Sequence, residues 1–188
     1  MFSATAVLLV IDVQEGLDEP SWGPRNNPQA ESNIARLLAA WRASGRPVIH
    51  IQHLSTEPDS PLRPEQPGHA IKAEARPVAG EQLFTKQVNS AFVGTDLDEY
   101  LRARGHSTLV MVGLTTNHCV STTARMAGNL GFETFVVADA TATFDRVDHQ
   151  GQRFDAQTVH DVALASLHGE FATVLDTADV LDAIGTGG

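Results

Sequence analysis

Residues 109–131 read LVMVGLTTNHCVSTTARMAGNLG, and the order of patterns in this stretch decides the fold. Leu109-Val110-Met111-Val112 is a continuous apolar run, the signature of a strand buried on both faces in a parallel sheet. Gly113 breaks the run, and the small polar segment Thr115-Thr116-Asn117-His118 follows. From Val120 the spacing turns helical, with Ala124, Ala127 and Leu130 near one face, and Gly131 stands where a left-handed helix C-cap favours glycine. This is a strand, a turn and a helix. Cys119, the only cysteine of the chain, falls on the first helical turn.

That position matters because the thiolate is the nucleophile and a free thiol is mostly protonated at neutral pH. A helix N-terminus offers unpaired N–H groups and partial positive charge, which favour the anion. The other reading of the stretch is a small, buried, inert cysteine. A nucleophile needs a proton acceptor and an electrostatic partner, so the rest of the chain decides between the two.

Upstream, Ala6 to Ile11 form a second apolar run that ends at Asp12 and continues as Val13-Gln14-Glu15-Gly16. Leu17 to Pro28 are rich in Pro, Gly and Asn and read as loop. A helix follows over residues 29–44, with Ile34, Leu37, Leu38 and Trp41 at helical spacing and Gly45 closing it. Residues 48–53 are the next strand. Leu54 to Gly80 carry five prolines and little periodicity, the marks of either a functional lid or a disordered loop. Leu83-Phe84-Thr85 make a short strand ending at Lys86, and Gln87 to Val93 a connection. Thr95 then caps a helix with Leu97, Tyr100 and Leu101 on its apolar side, ended by Gly105.

Downstream, residues 134–138 form a strand ending at Asp139, and residues 140–151 a loop. Residues 155–168 form a helix with Val159, Val162, Ala163 and Leu167 on one side. Residues 171–175 are a last strand and 178–184 a closing helix. Strand and helix alternate without repeat or linker. Residues 1–188 are therefore expected to form a single three-layer α/β/α domain on a mainly parallel sheet of about six strands.

The formal net charge is -10 with no basic run, which argues against nucleic acid or an anionic membrane surface as partner. One cysteine excludes an intrachain disulfide framework and any CxxC metal site. No leader pattern and no run of membrane-spanning length is visible, so a cytoplasmic protein is expected.

Asp12, Lys86 and Cys119 thus fall at the carboxyl ends of three strands, which a parallel sheet gathers on one edge, where open α/β sheets place their ligands. The set supplies a nucleophile, a carboxylate to take its proton and a cation. A buried lysine beside a carboxylate could equally be a structural ion pair.

The combination resembles the isochorismatase-like cysteine hydrolases. The matching segments are VLLVIDVQEGL with Asp12 and Gln14, FTKQVNSAFVGTDLDEYL with Lys86, and VGLTTNHCVSTTARMAGNLGF with Cys119, followed by FVVADATATF and VHDVALASLHGEFATVL. The resemblance implies the Rossmann-like fold of that family and hydrolysis of a small amide or ureide C–N bond through a thioester. In that chemistry Cys119 attacks the carbonyl carbon. Asp12 takes the thiol proton and returns it to the leaving amine, and Lys86 holds Asp12 and favours the thiolate. The resemblance also implies a cis peptide between Leu114 and Thr115 and an oxyanion hole from the N–H groups of Thr115 and Cys119. A homo-oligomer, dimer or tetramer, is implied as well.

Metal-binding relatives carry an Asp-x-His pair after the second strand, whereas Ile51-Gln52-His53-Leu54-Ser55 lacks it. His50 and His53 are three apart on a strand and point to opposite faces, and His69 stands alone in the long loop. No metal and no other cofactor is expected. Leu17, Trp22, His53, Phe92 and Asn117 are candidates for contact with the small-molecule substrate, and Asp139, Asp145 and His160 read as structural. Two other functions stay open. One is the vinyl-ether hydrolysis of isochorismatase itself, which does not depend on a cysteine nucleophile. The other is a binding domain without catalysis, against which an intact Asp12, Lys86 and Cys119 set argues.

Overall fold

The computed structural model describes residues 2–185. In chain order it contains β1 (Val7–Ile11), α1 (Ala30–Ala43), β2 (Val48–His53), β3 (Gln82–Lys86), α2 (Leu97–Ala103), β4 (Thr108–Leu114), α3 (Ser121–Asn129) and β5 (Glu133–Ala142). There follow β6 (Arg146–Val147), β7 (Arg153–Phe154), α4 (Ala156–Leu167), β8 (Thr173–Leu175) and α5 (Thr177–Gly185). The large sheet has the order β3-β2-β1-β4-β5-β8, and every neighbouring pair in it is parallel. Its topology reverses between β1 and β4, so a crevice opens there at the carboxyl ends of the strands.

Alternation along the buried strands sorts the core into two layers. Leu8 and Val10 of β1 face Ile34, Leu37, Leu38 and Trp41 of α1 and Val180 of α5. Val7, Leu9 and Ile11 face Leu97 and Leu101 of α2, Ala124 and Ala127 of α3, and Leu164 and Leu167 of α4. Because both faces are covered, β1 and the Leu109–Val112 run of β4 are continuously apolar rather than alternating. Each fully buried Leu or Ile contributes about 1.5–3 kcal/mol, which makes the centre of the sheet the most rigid support the chain can offer a site.

Gly113 does not end β4. The strand runs through it to Leu114, with Gly113 at φ +123°. A Cβ built there would lie 1.9 Å from the Ile11 carbonyl oxygen, so only glycine lets β1 and β4 stay paired at this level.

The structure corrects several local expectations. β5 continues past Asp139 to Ala142, because its register against β4 shifts between Met111 and Gly113. The Asp139 carboxylate turns aside to accept from the Thr177 N–H and hydroxyl and from Asn33, pinning the start of α5 to α1. The expected loop over 140–151 contains β6, which pairs with β7 as a two-residue antiparallel hairpin. Thr95 lies outside its helix, which begins at Leu97, although its hydroxyl does accept the Leu97 N–H. The buried face of α4 runs through Ala156, His160, Leu164 and Leu167, leaving Val162 exposed. The long loop is ordered locally by short 3-10 turns at Pro67–His69 and Ala73–Ala75. No helix among the described residues is long and apolar enough to cross a membrane.

Candidate active site

Asp12 is the first residue past β1. It sits at φ +51°, a left-handed conformation uncommon for a residue with a side chain, and its N–H donates to the Ile51 carbonyl. Gln14, fully buried two residues on, fastens this exit to β2. Its Oε1 accepts the His53 N–H at 2.9 Å, and its Nε2 donates to the carbonyls of His53 and His69. Glycine supports the same corner, since Gly16 and Gly68 meet backbone to backbone with no room for a Cβ on either.

Lys86, the last residue of β3, reaches across β2 to the same point. Its buried ammonium donates to Asp12 Oδ2 at 2.6 Å, to His53 Nδ1 at 3.1 Å and to Cys119 Sγ at 3.3 Å. Three donors meet three acceptors, which leaves the ammonium fully satisfied. The other Asp12 oxygen, Oδ1, is buried with no hydrogen-bond partner among the described residues. Cys119 Sγ also contacts Asn89 Oδ1 at 3.7 Å.

Cys119 does not lie on the first turn of α3. It belongs to a single π-helical turn, Thr116–Val120, which joins β4 to α3 after a cis peptide between Leu114 and Thr115. The Thr115 carbonyl accepts from the N–H groups of both His118 and Val120, widening the turn. Thr116, fully buried, meets His160 Nδ1 at 2.9 Å, so α4 grips the turn that presents the cysteine. His160 is therefore more than a helix residue, and only tertiary structure reveals its contact.

The electrostatics differ from the helix-terminus expectation. Burial pushes the half-buried Cys119 thiol well above its ordinary range, and the Asp12 carboxylate pushes the same way, while Lys86 pulls down. At neutral pH the sulfur is a thiol beside an unpartnered carboxylate oxygen. His53 is held neutral, first by burial and then by Lys86, against the opposing pull of Asp12.

A cavity of about 620 Å³ opens over this cluster. Asp12, His53, Thr115 and Cys119 form its floor, with Leu17 and Trp22 to one side and residues of the 55–62 loop segment to another. Asn89, His118 and Arg146 complete the lining. Trp22 is fixed by a 2.8 Å bond to the Gly16 carbonyl and by stacking on Phe144. Two expected pocket residues do not line the cavity. Phe92 packs into the core against Phe132. The Asn117 side chain is taken up by the Thr143 hydroxyl. Asn89, His118 and Arg146 sit in segments without periodicity, which gives the sequence no signal that they face the cavity.

Asp12, His53 and Cys119 are the one grouping among the described residues with spacing suited to a metal, their ligand atoms lying within 4.8 Å of one another. All three also contact Lys86 Nζ. The Lys86 ammonium already takes up the lone pairs that these ligands would offer a metal, and a divalent ion there would meet its positive charge at contact range. The donor set does not fit a metal beside the Lys86 ammonium.

Residues 6–179 match the family model of the isochorismatase domain. The chain is 48% identical over 175 residues to the uncharacterised isochorismatase family protein YrdC of Bacillus subtilis (strain 168), covering 93% of this chain and 94% of that one. It is 30% identical over 217 residues to the ureidoacrylate amidohydrolase RutB of Methylobacterium radiotolerans, with 97% and 80% coverage. A crystal structure from Chromobacterium violaceum ATCC 12472, described as a hydrolase of the isochorismatase family, superposes with a TM-score of 0.95. It is 51% identical, and the match covers 99% of this chain and 96% of that one.

Proposed function

The chain belongs to the isochorismatase family of hydrolases, and we propose that within it this protein hydrolyses the C–N bond of a small amide or ureide through a Cys119 thioester. The observation that carries the reading is the convergence of Asp12, Lys86 and Cys119 on one point at the floor of a cavity large enough for a small molecule. The amidohydrolase activity in the name of the ureidoacrylate relative supports the bond type.

The geometry supports the following steps. A substrate carbonyl carbon placed over Sγ is attacked by sulfur as the thiol proton passes to Asp12 Oδ1, the oxygen with no competing donor. A raised thiol pKa suits this order, because the proton leaves only as the C–S bond forms. The carbonyl oxygen becomes an oxyanion stabilised by the N–H groups of Thr115 and Cys119. Asp12 then returns the proton to the nitrogen, the C–N bond breaks and the amine departs. Water, deprotonated by Asp12, attacks the thioester and frees the acid and the thiol. Lys86 holds Asp12 in place throughout and offsets negative charge on sulfur.

The test is release of ammonia or amine from a panel of small amides and ureides. Hydrolysis of at least one class, with loss of activity on labelling the single thiol, is expected. Failure across the panel, or activity that survives complete labelling, overturns the reading.

A further inference from the structure

His53 closes β2, in register with Lys86 at the end of β3. Gln14 holds its backbone on both sides, accepting the His53 N–H at 2.9 Å and donating to the His53 carbonyl at 3.1 Å. The ring is held as well, because Lys86 Nζ lies 3.1 Å from Nδ1. Turning the ring over would set a C–H against the ammonium in place of that acceptor.

An ammonium has donors only. Nδ1 therefore accepts, and in a neutral imidazole the single ring proton then sits on Nε2. Burial, and after it the charge of Lys86, keep the ring neutral against the pull of Asp12. Nε2 has no hydrogen-bond partner among the described residues, yet it is not sealed from solvent, and His53 lines the cavity over Cys119. Lys86 thus makes His53 a donor of fixed direction, facing the space where a substrate lies. Lys86 itself has no donor left to offer there, since Asp12, His53 and Cys119 take all three.

From this we infer that His53 Nε2–H binds the substrate, so that the substrate class is a small amide or ureide carrying a second, uncharged acceptor oxygen beside the scissile carbonyl. The scissile oxygen is not that acceptor. β2 and β4 flank β1 on opposite sides, roughly 10 Å apart, and the donors proposed for the oxyanion come from the turn after β4. Asp12, His53 and Cys119 each place a side-chain atom within 4.8 Å of the others, so the second oxygen sits only a few bonds from the carbon that sulfur attacks. It is uncharged because a neutral imidazole does not offset the cost of desolvating an anion, and the Asp12 carboxylate nearby repels one. Asn89 and His118 also line the cavity, but both are exposed, and water competes for their polar atoms. The substrate class rests on the amide-hydrolase reading, whereas the position of the ring proton can be measured without it.

The experiment has two parts. Long-range proton–nitrogen correlation on histidine-labelled wild type, with His53 assigned by its loss in His53→Asn, should show a neutral ring protonated at Nε2 near pH 7.5. A proton on Nδ1, or on both nitrogens, overturns the inference. The second part compares malonamide with butanamide, and N-acetylurea with N-isopropylurea, pairs that differ in the second oxygen. In the wild type kcat/KM per amide group should favour the oxygen-bearing member by roughly 2- to 10-fold, the range of one hydrogen bond between neutral groups. His53→Asn keeps an oxygen to accept from Lys86 but brings no N–H to the Nε2 point, so the ratio should fall toward one. His53→Gln can return a donor there and should restore part of it, with thermal melts confirming that both variants fold. A wild-type ratio of one or less, or a ratio unchanged in His53→Asn, overturns the inference. Binding of the same pairs to Cys119→Ala, followed by NMR titration, separates the two claims. A preference for the oxygen-bearing members that disappears on adding His53→Asn upholds the donor even if no pair is hydrolysed. Equal binding within both pairs removes the donor while leaving the hydrolase reading intact.

Discussion

Lys86 Nζ lies 3.3 Å from Cys119 Sγ while holding Asp12 Oδ2 at 2.6 Å, so one ammonium touches both the proposed nucleophile and its proposed base. The two charges act on the thiol with opposite sign: Asp12 raises its pKa and Lys86 lowers it.

Thiol reactivity should therefore shift in opposite directions in two variants. Asp12→Asn should move the pH profile of iodoacetamide labelling toward acid, and Lys86→Met should move it toward alkali. Both should lose turnover by a factor on the order of 100 to 10,000, the usual loss for a general acid–base group and its support. Lys86→Met leaves a buried carboxylate unpaired and should destabilise the fold by about 3–5 kcal/mol, so circular dichroism must accompany the labelling. Coincident profiles for wild type and both variants would uncouple these residues from Cys119.

Metal removal gives a second expectation. Because Lys86 Nζ occupies the point on which Asp12, His53 and Cys119 converge, dialysis against a strong chelator should leave turnover unchanged. Loss of activity that zinc or iron restores would contradict this account of the cluster.

Acid stability offers a third. Burial opposes ionisation of Glu81, but hydrogen bonds from Arg42, the Val78 N–H and His50 outweigh it and hold the carboxyl at about 2. Arg25 and Lys72 likewise overcome burial to hold Glu31 at about 2. For both, the folded pKa lies below the ordinary 4.5, so their stabilisation is present above pH 4.5 and is lost as pH falls from there toward 2. His50 is lowered from 6.5, mainly by burial, so the folded state prefers it neutral and stability also declines below pH 6.5. Melting temperature should be flat above about pH 7, sag below 6.5 and fall steeply below 4.5. Glu81→Gln should lower stability at neutral pH by roughly 1–3 kcal/mol and flatten the acid limb. An acid limb as steep in Glu81→Gln as in wild type would show that the Glu81 pairing plays no part.

The sheet was legible in the sequence because strands covered on both faces must be apolar without interruption, as at Val7–Ile11 and Leu109–Val112. Asp12 was legible at a strand exit for the same reason, since it stops an apolar run, whereas Lys86 closes the half-exposed strand β3 and Cys119 lies beyond the end of β4 in the turn Thr116–Val120. The extension of β5 beyond Asp139 was not, because a register shift leaves no mark in residue type. The π-turn at Thr116–Val120 was hidden for a related reason: it is set by where the Thr115 carbonyl finds its donors and by the grip of His160 on Thr116. Leu17, Trp22 and His53 line the cavity because they flank strand exits, whereas Phe92 and Asn117 flank them too but turn to Phe132 and Thr143. Proximity in sequence does not fix the direction of a side chain. Arg146 gave no signal at all, being an isolated charge in a segment that reads as loop.

The most direct test of the central claim is the steady-state turnover of Cys119→Ala, on the best substrate found for the wild type, together with intact-protein mass after acid quench. Cys119 is the only cysteine, so no other thiol can substitute. The account predicts a folded variant with kcat reduced on the order of a thousandfold or more, and a covalent acyl adduct on the Cys119 peptide of the wild type alone. Turnover by Cys119→Ala within tenfold of the wild type would contradict it.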